Sequence, residues 1–319
     1  MHRLISMYSK NRLKVWAIIL MIILGLSLIR VLNQSAKSKN TVNNVEENNT
    51  VISNSEKKDY TNESETMVSS SKVPQKYQEK LGKIIDEFYT ACVDGDFQTA
   101  YSLVSDQCKR LIYPNQSLFE SLYCREKFSG DKEYSFQSWD ISKNRYIYQV
   151  KIFDNMLATG KSSDQGYIED YITIVPDEDS FKLNIDSYIE TKAMGDKSAD
   201  GDVTIQIDSK DVYKDYEIYK FKVKNNTQDS ILLDTGKKTN TMYLIDELEN
   251  KYNAFSYEKS RTDLTIEPGK VKTVEIKYDR AFNGDRELKK IVFSNIVKYD
   301  EYLENQSLEG TTVEINVVE

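Results

Sequence analysis

The first pattern along the chain is an apolar run. Residues 15–29 read VWAIILMIILGLSLI, interrupted only by Gly25 and Ser27. Val31 and Leu32 extend it to about 18 residues, roughly 27 Å as a helix, which matches a bilayer core. Residues 33–72 are then polar, dominated by Asn, Ser, Thr, Glu and Lys, and Pro74 punctuates their end. From Tyr77 the apolar positions step by three and four (Tyr77, Leu81, Ile84, Ile85, Phe88, Tyr89, Cys92), the stripe of an amphipathic helix. Asp94-Gly95-Asp96 breaks it, with Gly95 suited to the position after a helix end. A second helix is expected from Phe97, Ala100, Tyr101, Leu103 and Val104. Pro114 ends the following turn, and Ser117 with Glu120 reads as the capping box of a third helix through Leu118, Leu122 and Tyr123.

The period then changes to two. Tyr134, Phe136 and Ser138 alternate with polar neighbours, as do Tyr146, Tyr148, Val150 and Ile152. Residues 167–175 form a third strand pattern. After the turn Pro176-Asp177-Glu178-Asp179, Phe181, Leu183, Ile185 and Tyr188 form a fourth. Residues 192–202 read as a polar linker. Strand patterns resume at 203–207, 218–223, 231–233, 242–245, 252–257, 264–266, 271–278, 290–297 and 312–317. Many short strands separated by turn residues such as Asn225-Asn226 and Glu267-Pro268-Gly269 predict a β-sandwich.

Two resemblances sharpen the fold expectation. The stretch IIDEFYTACVDGDFQTAYSLVSDQCKRLI, residues 84–112, resembles the opening helices of the nuclear-transport-factor-two-like cone fold. The likeness lies in its aromatic pair Phe88-Tyr89, its Gly-Asp turn and its aromatic-x-x-Ala-Tyr-x-Leu run. The runs YKFKVKNNTQDSILLD (219–234) and LTIEPGKVKTVEIKY (264–278) resemble immunoglobulin-like sandwiches in surface proteins and lipoproteins of Gram-positive bacteria. The expected fold is therefore an α+β cone domain, three helices on a four-stranded antiparallel sheet, plus an all-β immunoglobulin-like sandwich, after one N-terminal transmembrane helix. The expected organisation is a cytoplasmic stub at 1–14, a signal-anchor span at 15–32 and a disordered stalk at 33–75. The cone follows at 76–190 and the sandwich at 200–319.

Charge sets orientation. Arg3, Lys10, Arg12 and Lys14 precede the apolar run without an acid, so the positive-inside rule keeps that end cytoplasmic and the bulk of the chain outside. A cleaved signal peptide is the competing expectation, with Ala36-Lys37-Ser38 supplying small residues at the cleavage positions. No cysteine follows the run before Cys92, which excludes a lipoprotein. Usage rich in Asn, Lys, Ile and Tyr, with four prolines, resembles an AT-rich Gram-positive bacterium. A net charge of −8 disfavours general nucleic-acid binding.

Candidate chemistry is sparse. The single histidine, His2, lies on the cytoplasmic side of the expected span, which removes the usual general base, the Ser-His and Cys-His nucleophile pairs and His-based zinc sites from the exported part. The carboxylate groups Asp94/Asp96, Asp177/Glu178/Asp179 and Asp200/Asp202 lack the spacing of a calcium loop and read as solvated turn residues. Glu169 and Asp170 fall inside a strand, so at most one of them points into the cone, where it would be a candidate general base; outward exposure is the expectation for both. Of Cys92, Cys108 and Cys124, a Cys92–Cys108 bridge across the helical segment and three buried thiols are both open readings. Tyr216, Tyr219, Tyr278 and Tyr299 lie near Lys or Glu and could line a sugar- or peptide-binding face, although strand propensity accounts for them. Lys220, Lys222 and Lys224 share one strand face and read as solvating it.

These readings converge on a non-enzymatic, single-pass envelope protein. It would present extracytoplasmic domains to a protein or cell-wall partner, with no catalytic residues, no cofactor and no metal. Its membrane contact would be the N-terminal helix, and nucleic acid is not expected as a partner. Two other functions stand beside it: a bitopic component of a conjugation or type IV secretion-like machine, and a small-molecule sensor or carrier using the cone pocket.

Overall fold

The longest stretch of regular backbone forms where the apolar stripe is cleanest. In the computed structural model, which describes residues 65–69, 71–155, 166–195, 198–199, 201–237, 240–255 and 258–317, helix α1 runs Gln75–Asp94. It buries Leu81, Ile85, Phe88, Tyr89, Ala91 and Cys92 along one face. Gly95 closes it at φ 78, a left-handed conformation that costs a side chain-free residue nothing.

Beyond Gly95 the helical signal breaks up. Asp96 caps α2 (Phe97–Leu103) by accepting the Thr99 N–H at 3.1 Å. Val104 then turns extended and makes a parallel bridge to Leu183, and the Ser105 N–H donates to the Leu183 carbonyl at 2.8 Å. Ser105 caps α3 (Asp106–Leu111), and Asn115 caps α4 (Gln116–Phe119) through the Leu118 N–H. A π-helical turn, Glu120–Cys124, and the single turn α5 (Arg125–Lys127) follow. The expected Ser117/Glu120 capping box does not form, because Asn115 supplies the cap two residues earlier.

Strands dominate the rest. The first sheet is an antiparallel meander of β1 (Lys132–Ser142), β2 (Arg145–Asp154), β3 (Ile168–Asp177) and β4 (Ser180–Asn184), in that order. Tyr146, Tyr148, Val150 and Ile152 of β2 face the helices within the first core, while Ile147 faces the other side. The chain then turns through Asp186 and Ser187, both at positive φ, and β5 (Tyr188–Ala193) joins a different sheet. That sheet runs β13 (Val271–Tyr278), β8 (Glu217–Asn225), β7 (Val203–Tyr213), β5, with the short β6 (Ser198–Ala199) also on β7. The third sheet runs β11 (Lys251–Asn253), β10 (Met242–Asp246), β14 (Leu288–Lys298), β9 (Ile231–Leu232), β12 (Thr265–Ile266), with β15 (Thr311–Asn316) on β14. The short helices α6 (Arg261–Leu264) and α7 (Tyr299–Glu304) flank it.

This corrects the expected fold class. The protein is mostly β, built on several antiparallel sheets, and a three-helix cone does not form. The physical reason lies at Val104–Ser105. Those residues bond to β4 and set α2 apart from α3; the short second helix and a third helical stretch at 116–127 form where expected, but α1 alone is long and the strands outweigh all of them. The strand expected to end at Tyr188 is divided between two sheets, and the boundary placed at 190 falls within β5.

The expected span at 15–32, the stub before it and the stalk up to residue 64 lie outside the described residues. Among the described residues no helix is long and apolar enough to cross a membrane. The last part of the expected stalk is ordered. Glu65 bridges Lys72, and the N–H groups of Met67 and Val68 donate to the carbonyls of Ser138 and Trp139 at 3.3 and 3.1 Å, adding a strap to the edge of β1.

Two cores result. One lies between α1, the short helices and the first sheet; the other lies between the second and third sheets around Phe221, Phe293, Tyr219 and Tyr278. Ile147, Ile189 and Val212, with Trp139 and Phe282 packed on them, join the two. Backbone bonds reinforce the junction: Lys214 N–H to the Ser187 carbonyl at 2.9 Å and Phe282 N–H to the Lys214 carbonyl at 2.8 Å.

In the second core, Gly310 packs directly on the bulge of β14. A Cβ there would lie 2.6 Å from the Asn295 carbonyl carbon and 2.7 Å from the Ile296 oxygen. Backbone cannot yield as a flexible side chain can, so Gly310→Ala is expected to cost about 1–3 kcal/mol, the usual range for overpacking. Urea denaturation of the purified full chain measures this as a lower midpoint at unchanged slope.

Candidate functional site

Of the two adjacent acids in β3, the strand alternation sends one to each face. Glu169 goes to the face away from the helices, where its carboxylate accepts from the Gln149 amide and from the Tyr171 hydroxyl at 3.1 Å, and the Gln137 amide bonds Gln149 in turn. Asp170 goes under α1. Its side chain is 1% exposed, so the expectation of outward exposure holds for Glu169, which is exposed, and fails for Asp170.

The surroundings of Asp170 come from α1, the helical stretch 116–127 and β3 itself. Lys127, on the turn after the π-helical segment, places Nζ 3.0 Å from Oδ1. The Tyr171 N–H donates to the same oxygen at 2.9 Å. Tyr123, from the π-helical turn, donates its hydroxyl to Oδ2 at 2.6 Å, and Tyr89 of α1 donates to it at 3.2 Å. Lys127 continues outward to Asp186, Nζ to Oδ1 at 2.9 Å, and Tyr113 donates to the other Asp186 oxygen at 3.0 Å. Exposure rises along this line, from 1% at Asp170 through 15% at Lys127 to 44% at Asp186. The Lys127 ammonium also lies 4.5 Å from the centre of the Tyr123 ring.

The π-helical turn explains why Tyr123 and Lys127 both arrive. The extra residue in that turn shifts the side chains that follow it, and Phe119 and Tyr123 stack at 5.5 Å while Phe128 packs against Tyr89 at 5.7 Å. Phe88, Tyr89, Phe119, Tyr123 and Phe128 fill the space between helices and sheet.

Burial raises the phenols of Tyr89 and Tyr123 well above their ordinary pKa, and the Asp170 charge pushes them further. For Lys127 burial works in the opposite direction, but the carboxylates of Asp170 and Asp186 outweigh it and hold the ammonium above its usual range. All three groups are therefore held in the protonation state that suits a charged Asp170. A carboxylate offers about four acceptor positions, and here a cation, a backbone N–H and two phenols use them. A general base needs a lone pair aimed at the proton it takes. Asp170 has committed its own to those four partners.

The other candidates do not assemble into a site. Asp96 is a helix cap, Glu178 sits at φ 50 in an exposed turn, and Asp200 lies outside the described residues. Among the described residues no group of three or more His, Cys, Asp or Glu side chains could hold a metal. Tyr219 and Tyr278 are fully buried, and Tyr216 lies between Tyr213 (4.5 Å) and Lys277 (4.1 Å), so these tyrosines do not form one exposed aromatic face. Lys220 pairs with Asp211 and Glu275, and Lys222 with Asp208. All three cysteines are buried thiols; Cys92 and Cys124 lie with their sulfurs 3.4 Å apart, and burial raises Cys108 to about 12.

A second cluster of buried charge sits at the junction. The Glu217 carboxylate accepts from Arg280 and from the Tyr219 hydroxyl (2.8 Å), with Lys210 at 3.8 Å. Arg280 reaches on to the Arg286 carbonyl at 2.8 Å. Glu190 of β5 pairs with Arg145 of β2 at 2.5 Å, a bond from the second sheet to the first.

Tyr89 and Tyr123 were visible in the sequence as apolar helix positions, without a sign that they would meet an acid. Lys127, Asp186 and Tyr113 carried no periodic signal at all. Comparison with known proteins returns no match, whether to a family model, a curated protein or a solved structure.

Removing the Asp170 carboxylate leaves the buried Tyr89 and Tyr123 hydroxyls without this acceptor and leaves Lys127 with Asp186 alone. Asp170→Ala is expected to destabilise the protein by about 1–3 kcal/mol for each buried donor left without an acceptor, read by urea denaturation. The alkaline limb follows from the raised values. The folded state retains protons on Lys127, Tyr89 and Tyr123 that the unfolded chain gives up, so their contribution is complete up to about pH 10 and declines above it. Melting curves of Tyr123→Phe against the parent should show a shallower decline above pH 10, and parallel curves would refute the assignment.

Proposed function

We propose that the protein is a non-enzymatic, single-pass cell-envelope component that presents its folded region outside the membrane for contact with a protein or with the cell wall. The observation carrying this reading is the saturation of Asp170. The acid best placed for catalysis is consumed by four partners inside a core packed with aromatic rings. The membrane part of the reading rests on the apolar run at 15–32 and the basic residues before it.

The junction supports a presenting role in a second way. Glu190–Arg145 and the Ile147, Ile189 and Val212 cluster hold the two cores together, which suits a scaffold that offers a fixed surface. Such a protein needs no cofactor, and its specificity would reside in exposed side chains.

Crosslinking on intact cells, followed by detergent extraction, pull-down of the full chain and mass spectrometry, tests the proposal. A defined set of envelope partners, or crosslinks to wall fragments, is expected, and Glu169→Gln should leave the captured set unchanged. Loss of capture in that variant with its circular dichroism spectrum intact would point to chemistry at the acid pair and overturn the reading. So would reaction of the folded region only with reagents confined to the cytoplasm.

A further inference from the structure

Two of the three cysteines meet. Cys92, on the buried face of α1, and Cys124, the last residue of the π-helical turn, bring their sulfurs to 3.4 Å, with 2% and 1% of each residue exposed. The sulfurs of a disulfide lie about 2.0 Å apart, so roughly 1.4 Å of approach separates this pair from a bond. Cys108 occupies its own place, beneath β4 at the start of α3, where its N–H bonds the Ser105 hydroxyl.

We infer that Cys92 and Cys124 form a disulfide in the exported protein, with Cys108 left as a free thiol. The inference rests on the extracytoplasmic reading above, since only an oxidising compartment sustains such a bond. The segment it would close supplies an independent argument. Between the two cysteines lie α2 and α3, of seven and six residues, and the first turns of the helical stretch 116–127. Helices of this length do not hold their shape alone. A bond at the two ends of this segment removes conformational freedom from its unfolded state, as cross-links do for loops of this size. It also fixes the π-helical turn against α1, and with it Tyr123 against Tyr89.

The chemistry balances with a disulfide-type oxidant. A thiolate of the pair attacks the oxidant's sulfur–sulfur bond and forms a mixed disulfide. The second cysteine then displaces the oxidant's remaining sulfur, and the protein loses two electrons and two protons while the oxidant leaves as two thiols. Burial raises the Cys92 thiol well above its ordinary pKa, so the folded protein offers little thiolate. The bond is therefore made while the chain folds, before α1 closes over the pair.

The test has two arms on the full chain. In the first, reduced and unfolded protein is refolded in a glutathione redox buffer, quenched in acid, alkylated with iodoacetamide in denaturant so that buried thiols react, and mapped by mass spectrometry without reduction. A peptide pair joined through Cys92 and Cys124, with Cys108 alkylated, is expected. The joined pair should persist in Cys108→Ser and vanish in Cys124→Ser. The melting temperature of the parent should fall by several degrees on adding reductant, and that of Cys124→Ser should not. A bond involving Cys108, or three alkylated cysteines, overturns the assignment on geometric grounds. In the second arm, intact cells are quenched in acid and the same peptides mapped. The joined pair is expected there too. A bond that forms on refolding but is absent from cells would leave the geometry standing, refute the location reading and so overturn the disulfide of the exported protein.

Discussion

A carboxylate driven under a helix sets the terms for everything packed around it. Isolated burial of such a charge would cost far more than the marginal stability of a folded domain. Asp170 is tolerable only because Lys127, Tyr171, Tyr123 and Tyr89 reach it together. Those partners come from α1, the π-helical turn, the turn after it and β3. The position of each is therefore tied to the others: α1 cannot rotate without withdrawing Tyr89, and the π-helical turn cannot relax to a regular helix without displacing Tyr123 and Lys127. A charge network of this kind adds little net stability over a well-packed apolar core, but it penalises alternative packings heavily.

The junction between the cores follows the same logic with different charges. Glu217, Lys210, Asp211 and Arg280 are almost wholly buried, and each sits beside an opposite charge or a hydroxyl. Ile147, Ile189 and Val212 exclude water around the strands that carry them. The first sheet is consequently covered on both faces, by helices on one and by the Trp139–Phe282 contact and its neighbours on the other. That explains why β2 buries Ile147 and Gln149 as well as Tyr146 and Tyr148. The alternation that marks a half-solvated strand is weakened when its polar face also becomes interior.

This bears on how much the sequence disclosed. The α1 stripe from Leu81 to Cys92, its end at Gly95, and strands such as 271–278 were readable, because each depends on local spacing and turn chemistry. The architecture was not. Whether residues 104–105 continue a helix depends on β4, which lies some eighty residues further on, and Val104 is compatible with either state. The ordered strap at Met67 and Val68 was equally hidden: its composition is that of a flexible tail, and its order comes from the open edge of β1. For the site, period two correctly separated Glu169 from Asp170 but could not say which face would be inside. That was decided by Lys127 and Asp186, whose positions have no periodic signature.

The edges of the sheets constrain what a partner can do. Strand addition needs a run of free backbone groups. The central part of β1 is occupied by the strap at Met67 and Val68, β4 is bridged by Val104 and Ser105, and the end of β13 is met by Ala254 and Phe255. The remaining stretch of β13 presents Lys272 and Glu275, charges that oppose edge-to-edge pairing. The large exposed apolar side chains include three pairs, Met67 with Val68, Leu118 with Leu122 and Tyr167 with Ile168, and the separate residues Leu248, Val271 and Leu303. Along the edges of β1, β4 and β13 a partner therefore finds few free backbone templates. Recognition of this fold would have to proceed through side chains and turns, which a rigid junction holds in fixed relative positions.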